Sequence, residues 1–441
     1  MSSRYSSKRS TSSRIIRDVK RPVKKVIRFF TKRNKTASRM YHDARKKHRE
    51  NRYNKYADQP VDEKLVVFES FMGRKYADSP KAIYEYMLHA PEYSDYRFIW
   101  FLKDRCMDEY LFLEENDRTT LVLWGSPEYY EAYATAKYWF TNSRIPASIG
   151  IKPDQVYVQC WHGTPLKKLG YDIEVDASDA RNSTADVREK YVTDAMRYTY
   201  MVSPSRYCSE KYISAFNLKE IGKDDIIIEE GYPRNDEIVN YKPEQVAAIR
   251  KNLGIPEDKK VILYAPTWRD NQHEVGVGYY YESPLDFDRL REKLGEEYVI
   301  LFRAHYFIAQ ALNFDDYKDF VIDASLYSEI NDLYIISDIL ITDYSSVFFD
   351  YGILKRPILF YMYDLEFYQD ALRGFYLTLD DLPGPIVKTQ EELEDKLLNV
   401  DEWSRSEEYL TEYKAFSDRF TYLDDGHASE RVVKRIIGTD A

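Results

Sequence analysis

The chain is poor in the residues that mark several whole classes of protein. Only three cysteines occur in 441 residues. Cys106, Cys160 and Cys208 are spaced too widely and irregularly for a disulfide framework or a zinc site, which points to a reducing compartment. Glycine (16) and proline (17) are too few for collagen-like or low-complexity sequence. No run of 18 apolar residues occurs, so no segment reads as a transmembrane helix. The polar, basic start also lacks the apolar centre of a secretory signal. Neither a GxxxxGK motif followed by Ser or Thr nor a GxGxxG fingerprint is present, which removes the main support for the common ATP and dinucleotide readings. Gly276-Val277-Gly278 reads only as a flexible loop.

What the chain does have is aromatic surface and segregated charge. Tyr 41, Phe 21 and Trp 6, within 44% hydrophobic residues, supply enough apolar area for two folded domains. Residues 1–60 hold 20 Lys+Arg against 4 Asp+Glu, and the remainder hold 44 against 70. The net charge of -10 therefore conceals a leader of +16 on a body of -26. Such a leader is drawn to anionic surfaces that the body repels. Residues 1–13 read as disordered. Ile15, Ile16, Val19, Val23, Val26, Ile27 and Phe30 then recur at helical spacing among basic residues, predicting a basic amphipathic helix kinked at Pro22. Residues 32–57 read as a charged stretch without a clear apolar face, closed by Asp58-Gln59-Pro60.

Beyond residue 60, short apolar runs alternate with amphipathic helical patterns. A first series of strands is expected at 65–68, 98–101, 121–124, 138–140, 156–158, 200–202 and 226–228. A second is expected at 261–264, 299–302, 320–322, 339–341 and 358–360. Alternation of this kind means parallel α/β sheets. The Pro-rich stretch 232–257 separates the series, so the boundaries expected are a basic leader over 1–60, one domain over 61–240 and a second over 241–441. Two doubly wound domains facing one another place a binding cleft at the carboxyl ends of their strands.

Those ends carry the candidate chemistry. The strand near Cys160 runs into Trp161-His162-Gly163-Thr164-Pro165-Leu166-Lys167. Here Thr164 reads as an N-cap and Pro165 as a first helical residue, with His162 on a tight turn as a candidate base. The plain alternative is a capped helix with an ordinary histidine. Arg303 and His305 lie on one side of an extended strand end, where a guanidinium grips phosphate and an imidazole donates to a leaving oxygen; a surface Arg and a backbone-satisfied His are the alternative. Thr342-Asp343-Tyr344-Ser345-Ser346 enters a helix through two hydroxyls suited to a diphosphate, unless Ser345 merely caps that helix. Weaker strand-end signals are Tyr264-Ala265-Pro266-Thr267-Trp268-Arg269 and Gly231-Tyr232-Pro233-Arg234-Asn235-Asp236.

Taken in order, Asn142-Ser143-Arg144, Trp161 to Lys167, Tyr264 to Arg269, Arg303-Ala304-His305, Ile341 to Ser346 and Gly426-His427-Ala428-Ser429-Glu430-Arg431 resemble the CDP-glycerol glycerophosphotransferase family of teichoic acid synthesis, over about residues 62–438. The resemblance implies an α/β, GT-B-like fold of two Rossmann-like domains. It implies transfer of glycerol phosphate or ribitol phosphate from a CDP-polyol to a hydroxyl of a lipid-linked acceptor, with release of CMP. His162 and His305 become the expected catalytic histidines, with His162 the general base. Arg303, Ser345, Ser346, Thr267, Arg269 and Asp343 fall on the donor and phosphate side; Gly163, Thr164, Lys167, Asn142 and Arg144 fall on the helix-start and acceptor side. Members of that family often carry longer additional segments, so primase and polymerase roles both stay open. Divalent metal is not indicated, although Asp343 and Asp350 could support one. The partners expected are the CDP-polyol, the acceptor and an anionic membrane surface on its cytoplasmic face, with no nucleic acid. Rival readings are a GT-B glycosyltransferase using a nucleotide sugar and a non-catalytic polyanion-binding protein.

Overall fold

The computed structural model describes residues 35–174, 183–267, 273–274, 278–279, 283–304, 314–366 and 374–438. The amphipathic segment expected over residues 15–30 lies outside them. The stretch read as merely charged forms a helix, Lys35–Asn54. Its last turn is pinned: Tyr53 is buried and donates to Gly150 O at 2.8 Å, while Arg52 donates to Gly125 O at 2.8 Å. No described helix is long and apolar enough to cross a membrane. Contacts divide the chain into two units, one of Met1–Trp161 with Arg197–Met201, the other of His162–Met196 with Val202–Asp440.

All twelve expected strands are present. In the first unit β1 (Asp62–Glu69), β2 (Arg97–Leu102), β3 (Thr119–Leu123), β4 (Ala136–Thr141), β5 (Val156–Gln159) and the start of β6 (Tyr200–Ser203) lie in the order β3-β2-β1-β4-β5-β6, with every pair parallel. Parallel pairing aligns Phe68 with Trp100 on one side and with Phe140 on the other. The Phe68 ring stacks on both, at centroid distances of 5.4 and 5.5 Å. The aromatic wealth of the sequence is thus spent in part on a ladder across three central strands, where each ring buries a large apolar area.

β7 (Ile227–Glu229) follows β6 as the edge strand of that sheet, and in the second unit the helices Asp236–Asn240 and Pro243–Leu253 then lead to β8 (Lys260–Ala265). A short antiparallel pair, β9 (His273–Glu274) and β10 (Gly278–Tyr279), follows. β11 (Tyr298–Phe302), β12 (Val321–Asp323), β13 (Ile339–Thr342), β14 (Ile358–Tyr361) and β15 (Ile386–Val387) complete a parallel sheet in the order β12-β11-β8-β13-β14-β15. Both alternating residue sets of β8, β11 and β13 are buried, as a sheet covered by helices on two faces requires. Strand order reverses beside β1 in the first sheet and beside β8 in the second; in doubly wound sheets ligands bind outside the carboxyl ends of strands at such reversals.

Candidate active site

At the reversal in the second sheet, β8 and β13 are stitched together beyond their last residues. Thr342 Oγ1 donates to Ala265 O at 2.8 Å. Asp343 Oδ1 accepts the N–H groups of Thr267 at 2.8 Å and Tyr344 at 2.6 Å. Asp343 therefore shapes the two loop entries. Ser345 and Ser346 follow before the short helix Val347–Tyr351, and Ser346 stands at its N-cap position without a side-chain cap hydrogen bond. The N-cap position thus falls to Ser346 and not to Ser345, the residue the alternative reading made the cap.

The His162 turn lies in the same unit. β5 ends with Gln159 Oε1 accepting the Trp161 N–H at 2.9 Å, and Trp161 takes a left-handed φ of 52°. His162 follows with an exposed side chain and a clamped backbone. Its carbonyl accepts from Arg234 Nη1 at 2.7 Å, and Arg234 Nη2 pairs with Asp350 Oδ2 at 2.7 Å. Asp350 belongs to the helix that follows Ser346, so this one guanidinium ties the His162 turn to the two-serine segment. Gly163 lies against that segment: a Cβ built on it would stand 3.4 Å from Ser346 Oγ. Tyr212 donates to Gly163 O at 3.2 Å and Tyr207 to Pro165 O at 2.7 Å, fixing the turn from below.

The helix start expected at Thr164-Pro165 does not form. Lys167 makes an antiparallel bridge with Phe375, Lys168 N–H donates to Gly374 O at 2.9 Å, and Tyr376 N–H donates to Leu166 O at 2.9 Å. The backbone groups that a helix needs are thereby taken by a distant strand-like segment. Gly170 adds a second obstacle, since its φ is +46° and a Cβ there would lie 2.3 Å from Ala215 O. Thr164 is buried instead of capping.

Arg303 sits at the end of β11, as expected, but its Nη1 donates to the carbonyls of Ala324 at 2.6 Å and Tyr327 at 2.5 Å. That nitrogen holds the loop after β12. His305 and Arg269 lie outside the described residues. Asn142 and Arg144 follow β4 in the first unit. Of the two carboxylates named for a metal, Asp343 accepts backbone N–H groups and Asp350 pairs with Arg234. Among the described residues no cluster of three His, Cys, Asp or Glu side chains is arranged to hold an ion.

Sequence reasoning missed the Arg234–Asp350 pair as the element that organises the site; the Pro233-Arg234-Asn235-Asp236 strand-end signal was its only trace. This motif also docks onto the Gly426–Arg431 motif. Asn235 Nδ2 donates to Asp424 at 3.0 Å, and Asp236 accepts the N–H groups of Ala428 and Ser429, both at 2.8 Å. Burial pushes Asp424 up to about 8, and the nearby Asp350 charge adds to this against the Asn235 hydrogen bond.

Two parallel doubly wound sheets, with a guanidinium tying a histidine turn to a two-serine segment at strand ends, define a GT-B-like α/β fold. The sequence profile of the CDP-Glycerol:Poly(glycerophosphate) glycerophosphotransferase family matches residues 51–438, and the chain belongs to that family. It is accordingly a transferase of the CDP-polyol phosphotransferase class. It is 44% identical over 375 residues to a teichoic acid poly(glycerol phosphate) polymerase of Staphylococcus epidermidis, matching 84% of this chain and 50% of that protein. It is 40% identical to one of Bacillus spizizenii, over 86% of this chain and 93% of that one. A teichoic acid glycerol-phosphate transferase of Staphylococcus aureus is 42% identical, over 84% and 92%. The chain thus spans half of the first relative and nearly all of the other two. Among solved structures, the wall teichoic acid polymerase TagF superposes with a TM-score of 0.79 at 40% identity, covering 91% of this chain and 96% of that one. A UDP-GlcNAc 2-epimerase from Methanocaldococcus jannaschii, at 15% identity and a TM-score of 0.50 over 84% and 98%, shares the fold alone.

Proposed function

We propose that the chain transfers glycerol phosphate or ribitol phosphate from a CDP-polyol to a terminal hydroxyl of a lipid-linked teichoic-acid-type acceptor. The acceptor oxygen attacks the phosphorus bearing the polyol, the bond from that phosphorus to the CMP oxygen breaks, and His162 takes the hydroxyl proton. Ser345, Ser346, Thr267, Arg269, Arg303 and His305 are assigned to the diphosphate, with His305 easing departure of CMP. Positioning and charge neutralisation supply most of the acceleration in such in-line displacements. The observation that carries the reading is the Arg234 bridge, which ties the His162 backbone to the helix that follows the two serines. We assign the donor to residues 241–441 and the acceptor to residues 61–240.

Residues 1–57 are proposed as a peripheral anchor on the cytoplasmic face of the membrane. Arg45, Lys46, Lys47 and Arg49 on the helix Lys35–Asn54 extend the leader's positive charge, and each basic residue at an anionic surface contributes about 1 kcal/mol. The experiment is a panel of CDP-glycerol, CDP-ribitol and UDP-sugars with a membrane acceptor, scored for CMP release and product length. Transfer from a UDP-sugar in place of a CDP-polyol refutes the donor assignment. Co-sedimentation of full-length and truncated chain with anionic vesicles tests the anchor, and retained binding after truncation refutes it.

A further inference from the structure

The carboxyl end of β1 is strained and tied on both sides. Phe71 and Met72 hold positive φ values of 49° and 57°, and Gly73 follows at 71°. Left-handed backbone costs roughly 1–2 kcal/mol at each residue that bears a Cβ. From the β4 end, Asn142 Oδ1 accepts the Phe71 N–H at 2.8 Å and Ser143 Oγ accepts the Met72 N–H at 2.9 Å. From the β2 end, Lys103 N–H donates to Gly73 O at 2.7 Å. Asn142 is fully buried, and its Nδ2 has no hydrogen-bond partner. A buried donor left unmade costs about 1–3 kcal/mol. Strain and an orphaned donor therefore meet at one strand end, on the side where doubly wound sheets take their ligands.

The same place concentrates positive charge in an acidic body. Arg74 leaves the strained turn, and Lys103 and Arg105 leave the end of β2. Among the described residues no carboxylate forms an ion pair with any of the three. The Lys103 ammonium sits 5.3 Å over the Trp124 ring. Burial, and then the like charges of Arg74 and Arg105, hold its pKa below the ordinary lysine value. Glu69, buried at the end of β1, offsets at most one of the three charges.

We propose that the carboxyl ends of β1, β2 and β4 form a seat for a phosphodiester monoanion, gripped by Arg74, Lys103 and Arg105. The seat rests on the transfer reaction proposed above, whose acceptor is a chain of such groups. Forked guanidinium groups suit the paired oxygens of a phosphodiester, and the ammonium adds a point charge. A membrane phospholipid headgroup offers the same chemistry, so the test separates the two sources.

Calorimetric titration of the full chain without donor reads the seat apart from the reaction, using a lipid-free glycerol phosphate oligomer and, separately, phosphatidylglycerol vesicles. The triple variant Arg74→Gln, Lys103→Gln, Arg105→Gln is expected to bind the oligomer about tenfold more weakly and with a flatter salt dependence. Its CDP-glycerol affinity should stay unchanged, which also reports an intact fold. Loss of two exposed charges elsewhere, in Lys219→Gln, Lys251→Gln, should leave oligomer binding as it was. Weaker vesicle binding with unaltered oligomer binding keeps the seat and assigns it to the headgroup. Equal binding of both ligands by triple variant and wild type overturns the proposal. Oligomer binding that depends on these cations, without CMP release, sustains the seat and refutes the transfer reading instead.

Discussion

Removing the Arg234 guanidinium should damage stability and catalysis through separable routes. Its side chain is 11% exposed and that of Asp350 is 9% exposed, so the pair is nearly dry. In Arg234→Met the Asp350 carboxylate loses this guanidinium and keeps the long Asn235 Nδ2 contact at 3.4 Å. Breaking a buried pair from one side typically costs about 3–5 kcal/mol, because a charge is left without its partner. For a unit of this size that lowers Tm by on the order of 10 °C. The second loss is local: the His162 carbonyl gives up its 2.7 Å hydrogen bond, and the turn loses its link to the serine segment. The double variant Arg234→Met, Asp350→Leu removes both charges and should recover most of the lost Tm. It should not recover kcat, because the link between the His162 carbonyl and the serine segment is still missing. Thermal unfolding and steady-state CMP release on wild type, both single variants and the double variant complete the cycle. Additive losses in Tm, or a wild-type kcat in either Arg234 variant, would refute the account of this bridge.

His162→Ala should lower kcat by about 10²- to 10⁴-fold while CDP-glycerol binding survives, since a positioned base acts on the transfer step; a near wild-type rate from pH 6 to 9 removes it from that role. Glu69 is fully buried among Tyr129, Tyr133 and Trp124, and burial pushes it up to about 7 from 4.5. The folded chain thus keeps a proton that the unfolded chain releases, and stability falls as pH rises from about 4.5 through 7, by roughly 3 kcal/mol in all. Glu69→Gln still accepts from Trp124 and should flatten that slope in denaturant titrations at pH 5 and 8; an unchanged slope rejects the assignment. Gly170→Ala should cost at least about 2 kcal/mol by the same titration at one pH, because its Cβ meets Ala215 O at 2.3 Å on a left-handed backbone.

Local pattern carried the secondary structure. Runs such as Val261 to Tyr264 and Ile339 to Ile341 are apolar at every position, and between helical periodicities such runs have only one comfortable place, a parallel strand buried on both faces. The polar residues at the ends of those runs were legible for the same reason, since a strand must stop where burial stops. Which side chains meet was not legible. Arg234 finds Asp350 across 116 positions, and Arg303 spends a nitrogen on carbonyls 21 and 24 positions away. Thr164-Pro165 has the local form of a helix start, yet residues 166 to 168 pair with 374 to 376 instead. The orphaned Asn142 donor and the cations at the ends of β1 and β2 likewise come to one sheet edge only once β1, β2 and β4 lie side by side. Periodicity encodes which face of an element is apolar. It says nothing about which distant polar group will share the desolvated space, and hydrogen bonds and charges in that space are decided by packing.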